Sequence, residues 1–243
     1  MSFDVRYERH IELREIGASG QKKLKQSNIL IVGAGGLGCP VALYLTAAGI
    51  GKITIVDDDK ISLTNLQRQI LYKTQDCGKP KASRAATYLD ELNPEIKIIA
   101  HTAHLDEKSA PDLIQGHDLV IDCTDNFETR YLLNRLCVSL KKTLISGSVI
   151  YFDGQVCVFK DGSPCYQCLY PHSPNPQQAP TCTESAVLGP LPGVIGTIMA
   201  AEAIKELLSI GESLAGYVLS YSALHSDFRK ISIEKRKNCT VCG

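Results

Sequence analysis

The glycines of Gly33-Ala34-Gly35-Gly36-Leu37-Gly38 fall in the order Gly-x-Gly-x-x-Gly, between an apolar run and a pattern of small residues. Glycine lets a backbone come close to phosphate oxygens. A helix that starts there offers N–H groups and the positive end of its dipole. Asp57 lies 19 residues past Gly38, where a carboxylate can accept hydrogen bonds from ribose hydroxyls. These features point to an adenine nucleotide. They do not choose between NAD and ATP, and the plainer alternative is a loop that only turns the chain.

The block Asn65-Leu66-Gln67-Arg68-Gln69 tips the choice toward a triphosphate. It suits a core helix poorly and sets an amide and a guanidinium shortly after the acidic strand end, where an arginine can hold phosphate bidentately. Lys81, after Gly78-Lys79-Pro80, adds a second cation, expected to be mobile. A dinucleotide needs little charge beyond a helix end, whereas a triphosphate carries about four charges and benefits from several cations and a metal. Asp125 follows an apolar run, at the edge where open sheets bind ligands, and is a candidate magnesium ligand. The alternative for Asp122 or Asp125 is to cap the following helix.

Cys165-x-x-Cys168 and Cys239-x-x-Cys242 repeat one spacing with 70 residues between the pairs. Two such pairs supply the four thiolates of a tetrahedral zinc site, which leaves no open coordination position and is therefore structural. The rival is redox chemistry, which needs only one pair. Cys182 stands apart, in Pro180-Thr181-Cys182-Thr183-Glu184-Ser185. It can act as a nucleophile if its surroundings lower its pKa, or it is an inert thiol. Cys39, Cys77, Cys123, Cys137 and Cys157 read as core fillers.

The elements needed to position these groups are legible in the apolar patterning. Residues 1–27 form a helix-compatible arm. Strands are expected at Ile29–Val32, Lys52–Val56, Ile96–Ala100, Leu119–Asp122 and Thr143–Ser146, and helices at Val41–Ala48, Lys81–Leu92 and about Glu128–Leu140. Gly49 and Gly51 end the first of these helices. The alternation predicts a Rossmann-like, doubly wound, mostly parallel α/β sheet. After Gly147 the character changes. A hairpin is expected over Val149–Lys160 around Asp153-Gly154, then a long loop over Pro164–Pro192, a helix over Gly193–Ile210, and strands at Tyr217–Tyr221 and Lys230–Ile233. The chain thus reads as a single domain, with a nucleotide-binding part over 28–147 and a part with a mixed or antiparallel sheet extension over 148–243.

The 243 residues carry 26 Lys and Arg against 26 Asp and Glu. That balance argues for neither nucleic acid nor a membrane surface as partner, and the basic cluster over Lys230–Lys237 reads as a solvated face. Ile29–Gly51 lacks charge over a length that suits a membrane span, but its glycine loop favours strand, turn and buried helix. The start of the chain lacks a signal-peptide core, so the ten cysteines argue for a reducing, cytoplasmic setting.

Taken together, Gly33–Gly38, Asn65–Gln69, Lys79-Pro80-Lys81, Asp122-Cys123-Thr124-Asp125-Asn126 and the two Cys-x-x-Cys pairs stand in an order that resembles the MoeB/ThiF/HesA adenylyltransferases, relatives of ubiquitin-activating enzymes. The resemblance runs from Arg6-Tyr7-x-Arg9 to Cys242-Gly243. It implies an enzyme that uses ATP and magnesium to adenylate the terminal Gly-Gly carboxylate of a small β-grasp sulfur carrier, MoaD-like or ThiS-like, for molybdopterin or thiamine synthesis. By the same resemblance Gly33, Gly35, Gly36 and Gly38 belong to the nucleotide-binding loop, with Gly36 against the phosphates, and Asp57 holds the ribose. Asn65, Arg68, Gln69 and Lys81 bind the nucleotide, and Asp125 coordinates magnesium with Asn126 beside it. Arg9 reaches the nucleotide of a partner subunit, which implies a homodimer. Cys182 matches a loop cysteine that some members use in sulfur transfer. No fused rhodanese domain is expected, and sulfur is expected from a separate donor such as a cysteine desulfurase or rhodanese. Two rivals share the scaffold: an NAD-dependent oxidoreductase, and a carrier-binding protein without catalysis.

Overall fold

A computed structural model describes residues 3–173 and 186–243. Helices α1 (Phe3–Ile11) and α2 (Gly17–Gln26) form the N-terminal arm. There follow β1 (Asn28–Val32), α3 (Gly38–Ala47), β2 (Lys52–Val56), α4 (Lys81–Leu92), β3 (Lys97–His101), α5 (Ala110–Gln115), β4 (Leu119–Asp122) and α6 (Phe127–Ser139). The chain continues through β5 (Thr143–Ile150), β6 (Asp153–Phe159), α7 (Tyr166–Leu169), α8 (Leu191–Leu208), β7 (Tyr217–Ser222) and β8 (Asp227–Ser232).

Among the described residues, eight strands form one mixed sheet in the order β3-β2-β1-β4-β5-β6-β7-β8. The first five positions pair in parallel and the last three antiparallel, so β5 carries both kinds of neighbour. Alternate residues of a strand face opposite sides, and the core divides accordingly. Ile29, Ile31, Ile53, Ile55, Ile121 and Ile145 pack with α3, α4 and α8. Leu30, Val32, Val56, Val120 and Leu144 pack with α5 and α6 on the other face. Burial on both faces explains why β1 and β4 read as unbroken apolar runs rather than alternating ones, while in β2 the buried Thr54 hydroxyl meets His117 Nε2 at 2.7 Å.

Glycines set the approach of α8. A Cβ on Gly147 would lie 2.3 Å from Met199 Sδ, one on Gly154 2.4 Å from an Ile195 side-chain carbon, and one on Gly196 2.5 Å from Pro40 Cγ. Here an expectation needs correction. The β5–β6 turn is Tyr151-Phe152, with Ile150 paired to Asp153 and a positive φ of 50° at Tyr151. Asp153-Gly154 already belongs to β6. Gly154 is there to admit Ile195, not to turn the chain.

The loop expected over Pro164–Pro192 contains α7, and α8 starts inside its far end. α5 was not expected. Among the described residues no helix is long and apolar enough to cross a membrane.

Candidate functional site

β1 leads to β2 on one side and β4 to β5 on the other, so the connections that leave the paired carboxyl ends of β1 and β4 diverge at the switch point where open α/β sheets bind ligands. A cavity of about 340 Å³ opens there. Its walls are the glycine loop after β1, the Asp57–Asp59 segment after β2, Ala103–Leu105 after β3 and Cys123–Asn126 after β4. Gly33, Gly35, Gly36, Arg68, Gln69 and Lys81 line it as well. Gly33 has φ 95°, and a Cβ there would sit 2.8 Å from the Cys123 carbonyl oxygen. At Gly38 a Cβ would meet the Gly33 carbonyl oxygen at 2.0 Å, so this glycine packs the start of α3 against the loop.

Asp57 turns both carboxylate oxygens to backbone donors: Ala34 N–H donates to Oδ2 at 2.7 Å and Asp59 N–H to Oδ1 at 2.9 Å. Burial raises the Asp57 pKa, and the nearby Lys81 charge opposes that rise. Lys81 opens α4 and is not the mobile cation expected. Its side chain is 7% exposed and its Nζ donates to Asp59 Oδ2 at 2.8 Å. A buried ammonium needs such a partner. Asp59, 69% exposed, can hold or release it.

Arg68 is half-buried and donates from Nη1 to the Thr64 carbonyl at 3.2 Å. Asn65 accepts the Ser62 N–H at Oδ1, which leaves its amide NH₂ as the group to donate. Gln69 is buried on the cavity wall with Oε1 lacking a hydrogen-bond partner among the described residues. Such an atom is costly unless a ligand or water serves it.

Asp125 is exposed on the cavity rim and is not a helix cap. Asn126 caps α6, accepting Thr129 N–H at Oδ1. Asp122 accepts from Thr124 N–H, Thr124 Oγ1 and Ser146 Oγ, which holds the β4 end. Capping therefore falls to neither aspartate, and the carboxylate of Asp125 faces the cavity as the donor type magnesium takes, alongside phosphate oxygens.

A model of the ThiF family matches residues 7–241. The chain belongs to the ThiF family. It is 46% identical to the sulfur carrier protein adenylyltransferase of Thermus thermophilus over 98% of this chain and 90% of that one. It is 42% identical to the SAMP-activating enzyme E1 of Haloferax volcanii, with 98% and 88% covered. It is also 46% identical to the adenylyltransferase and sulfurtransferase MOCS3 of Aedes aegypti, and spans 55% of that longer protein. Among solved structures, E. coli MccB with AMPCPP and SeMet MccA superposes with a TM-score of 0.85 at 25% identity, over 98% of this chain and 74% of that one.

This ThiF-family chain also gathers its four paired cysteines. Cys165, Cys168, Cys239 and Cys242 have sulfurs all within 4.8 Å of one another, and the two nearest pairs stand at 3.6 and 3.5 Å. Four sulfurs around zinc at 2.3 Å would be separated by about 3.8 Å, so the donor set and its compactness fit that ion. Burial opposes ionisation of Cys239, but the N–H groups of Cys242 and Val241 carry its pKa down to about 6. Burial raises Cys165 and Cys242 instead, so without an ion the cluster favours a thiolate at Cys239 alone. Burial also pushes Cys39, Cys137 and Cys157 up to about 12, so these remain thiols. Cys77 is exposed, contrary to its reading as a core filler. Cys182 lies outside the described residues. Arg9 stands on α1, 88% exposed and paired with Glu12, away from the cavity of its own chain.

Arg130 was missed by the sequence reading. It is buried on the cavity wall and donates from Nη2 to the carbonyls of Thr124 at 2.5 Å and Gly147 at 3.0 Å, tying the β4 loop to β5. Its signal was an arginine in the first turn of a helix that starts at the sheet's carboxyl edge. His104, paired with Asp58 at 3.3 Å on the rim, was also missed.

Proposed function

We propose that this chain adenylates the C-terminal carboxylate of a small ubiquitin-like sulfur-carrier protein, with ATP as substrate and pyrophosphate as product. The observation that carries the reading is the convergence of Arg68, Lys81 and the exposed Asp125 around one glycine loop in a ThiF-family chain. The names of its relatives, adenylyltransferases of sulfur carriers and an E1 enzyme for SAMP, support the same reading.

Asp57 stands at the end of β2 to receive the ribose. The glycine-loop N–H groups, the Asn65 amide, Arg68 and Lys81 bind the phosphates. Asp125 would hold magnesium, which supplies charge neutralisation on the phosphate oxygens. One oxygen of the carrier's terminal carboxylate attacks the α-phosphorus. The bond from that phosphorus to the bridging oxygen breaks, and its electron pair leaves with pyrophosphate. The attacking carboxylate is ionised at neutral pH, so no general base is needed and Cys182 has no part in this step. Catalysis is alignment plus stabilisation of charge that develops at the α-phosphate and the leaving oxygen.

Residues 148–243 form the carrier-facing part, stapled by zinc at Cys165, Cys168, Cys239 and Cys242 in a structural role. Arg9, exposed and outside its own cavity, serves the nucleotide of a second copy in a homodimer. Unpaired thiols and a zinc-thiolate site fit the reducing cytoplasm, where a separate donor brings the sulfur. The test is ATP–pyrophosphate exchange with purified MoaD-like and ThiS-like carriers. Exchange that requires a carrier is the expected result, and the carrier that elicits it names the pathway. Micromolar binding of a nicotinamide cofactor, without exchange, would overturn the proposal.

A further inference from the structure

Of the residues between the first and last glycines of the loop, Ala34 is tied at both of its backbone groups. Its N–H donates to Asp57 Oδ2 at 2.7 Å, and its carbonyl accepts from the Tyr72 hydroxyl at 2.7 Å. Lys81 is tied at three points. Its N–H donates to the Asp59 carbonyl at 2.9 Å, its Nζ to Asp59 Oδ2 at 2.8 Å, and its own carbonyl shares, at 3.3 Å, the one Tyr72 hydroxyl proton that Ala34 also receives. Asp59 N–H closes the circuit on Asp57 Oδ1 at 2.9 Å. Asp57, Ala34, Tyr72, Lys81 and Asp59 thus form a closed ring of hydrogen bonds. It joins the strand end that faces the ribose, the glycine loop and the first residue of α4.

Resting on the reading of the cavity as a nucleotide site, we propose that Tyr72 and Asp59 are positioning residues: through this ring they fix the Lys81 ammonium against the glycine loop at the spacing the phosphates require.

The argument is one of compliance. A loop with glycines at 33, 35, 36 and 38 has little intrinsic stiffness, since glycine gives up more conformational freedom than any other residue when it is ordered. A lysine side chain is also long and flexible, and a displacement of about 1 Å in a phosphate-binding group can cost about a hundredfold in rate. Tyr72 is buried and its hydroxyl touches the loop and the helix start together, so it sets their separation directly. Burial also pushes its phenol well above the ordinary tyrosine range, so it remains a donor. Asp59 acts on the same lysine from the solvent side. Its backbone carbonyl sets where α4 begins, and its carboxylate sets where the ammonium points until phosphate takes the ammonium over.

The experiment is a double-mutant cycle on carrier-dependent exchange and on ATP binding by calorimetry, with wild type, Tyr72→Phe, Lys81→Ala and the double variant. Tyr72→Phe is expected to lower kcat about tenfold at saturating ATP, with a cooperative melt close to that of wild type. In the Lys81→Ala background the same change should cost less than about threefold, because residues that act through one another are not additive. A purely packing role would give the same factor in both backgrounds, and that result, or wild-type kinetics in Tyr72→Phe, overturns the proposal. Should Tyr72→Phe fail to fold, Asp59→Asn run through the same cycle with Lys81→Ala decides it by the same criterion. A wild-type protein that binds ATP without exchange would sink the adenylation reading alone, and the cycle on ATP Kd would then judge the ring. A wild-type protein that does neither sinks both.

Discussion

On the parallel side of β5, β1, β2 and β4 are buried along nearly their whole lengths, and Asp57, Arg68 and Arg130 on the cavity wall hydrogen-bond neighbouring backbone. On the antiparallel side, the edge strand β8 is exposed on both faces, with Phe228 on one and Ile231 on the other. The segments that flank this half meet at a cluster of four cysteines. The first region has apolar area to spare and can place polar groups with precision. The second exposes more of its sheet and gathers four cysteines that could hold a metal. Chemistry and stability are thus located apart, and each half can be perturbed to test that division.

The largest effect is expected from Asp125→Ala or Lys81→Ala. Each should lower exchange by about two to three orders of magnitude, the usual loss when a group aimed at developing charge is removed. For Asp125→Ala the thermal melt should stay where it was, since the side chain is exposed. A large loss of stability with intact exchange would break the division. Removal of the metal should do the reverse. Cys239→Ser, or a strong chelator, is expected to release zinc and lower the melting temperature, because a structural metal contributes its binding energy to folding. ATP should still bind. Metal analysis, melting and calorimetry on one preparation check this together, and a stable wild-type protein without zinc would contradict it.

Between the halves, Gly196→Ala forces a methyl group toward Pro40 and the Leu37 carbonyl. Overpacking of this kind costs about 1–3 kcal/mol. Urea unfolding should register that loss, with a smaller effect on exchange than Asp125→Ala.

The smallest effect concerns Asp76, fully buried in the loop that delivers Lys81. Burial alone would raise its pKa, but hydrogen bonds from Tyr88, Lys73 N–H and Lys79, with the Arg84 charge beside it, bring it down to about 2. A lowered pKa means that the folded state favours the carboxylate. The stabilisation is therefore present above the unfolded value of about 3.9 and fades as pH falls toward 2. Asp76→Asn should be less stable than wild type at neutral pH, and the gap should narrow between about pH 4 and pH 2. A gap that does not change with pH would place the benefit in packing.

Much of this was legible in the residues. β2 and α4 fall where the apolar runs and the Asn93-Pro94 stop put them, because each has one strong periodicity and clear punctuation. The cavity's glycines, Arg68, Lys81 and Asp125 were found because their types are unusual at their positions. What escaped depended on distant partners. α5 spans only Ala110–Gln115, too short to display a helical period. Asp-Gly at 153 and 154 is a strong turn signal, yet the glycine answers to Ile195 on a helix some forty residues later. Asp125 and Asn126 are both able caps, and one residue's difference in the helix start decides between them. Neither Tyr72 nor Arg130 belongs to a motif. Their roles exist only where separate loops meet.

α6 carries one more consequence. Thr129 and Arg130 in its first turns line the cavity, while Asn134 accepts Tyr166 N–H at 2.8 Å and turns its Nδ2 to Cys165 Sγ at 3.7 Å. From Arg130 to Asn134 is about one helical turn, a rise of about 6 Å. One residue inserted between them would swing Asn134 through about 100° and part it from the cysteine knot. The length of that turn is locked, because both ends are in use and Leu132 and Leu133 between them are core.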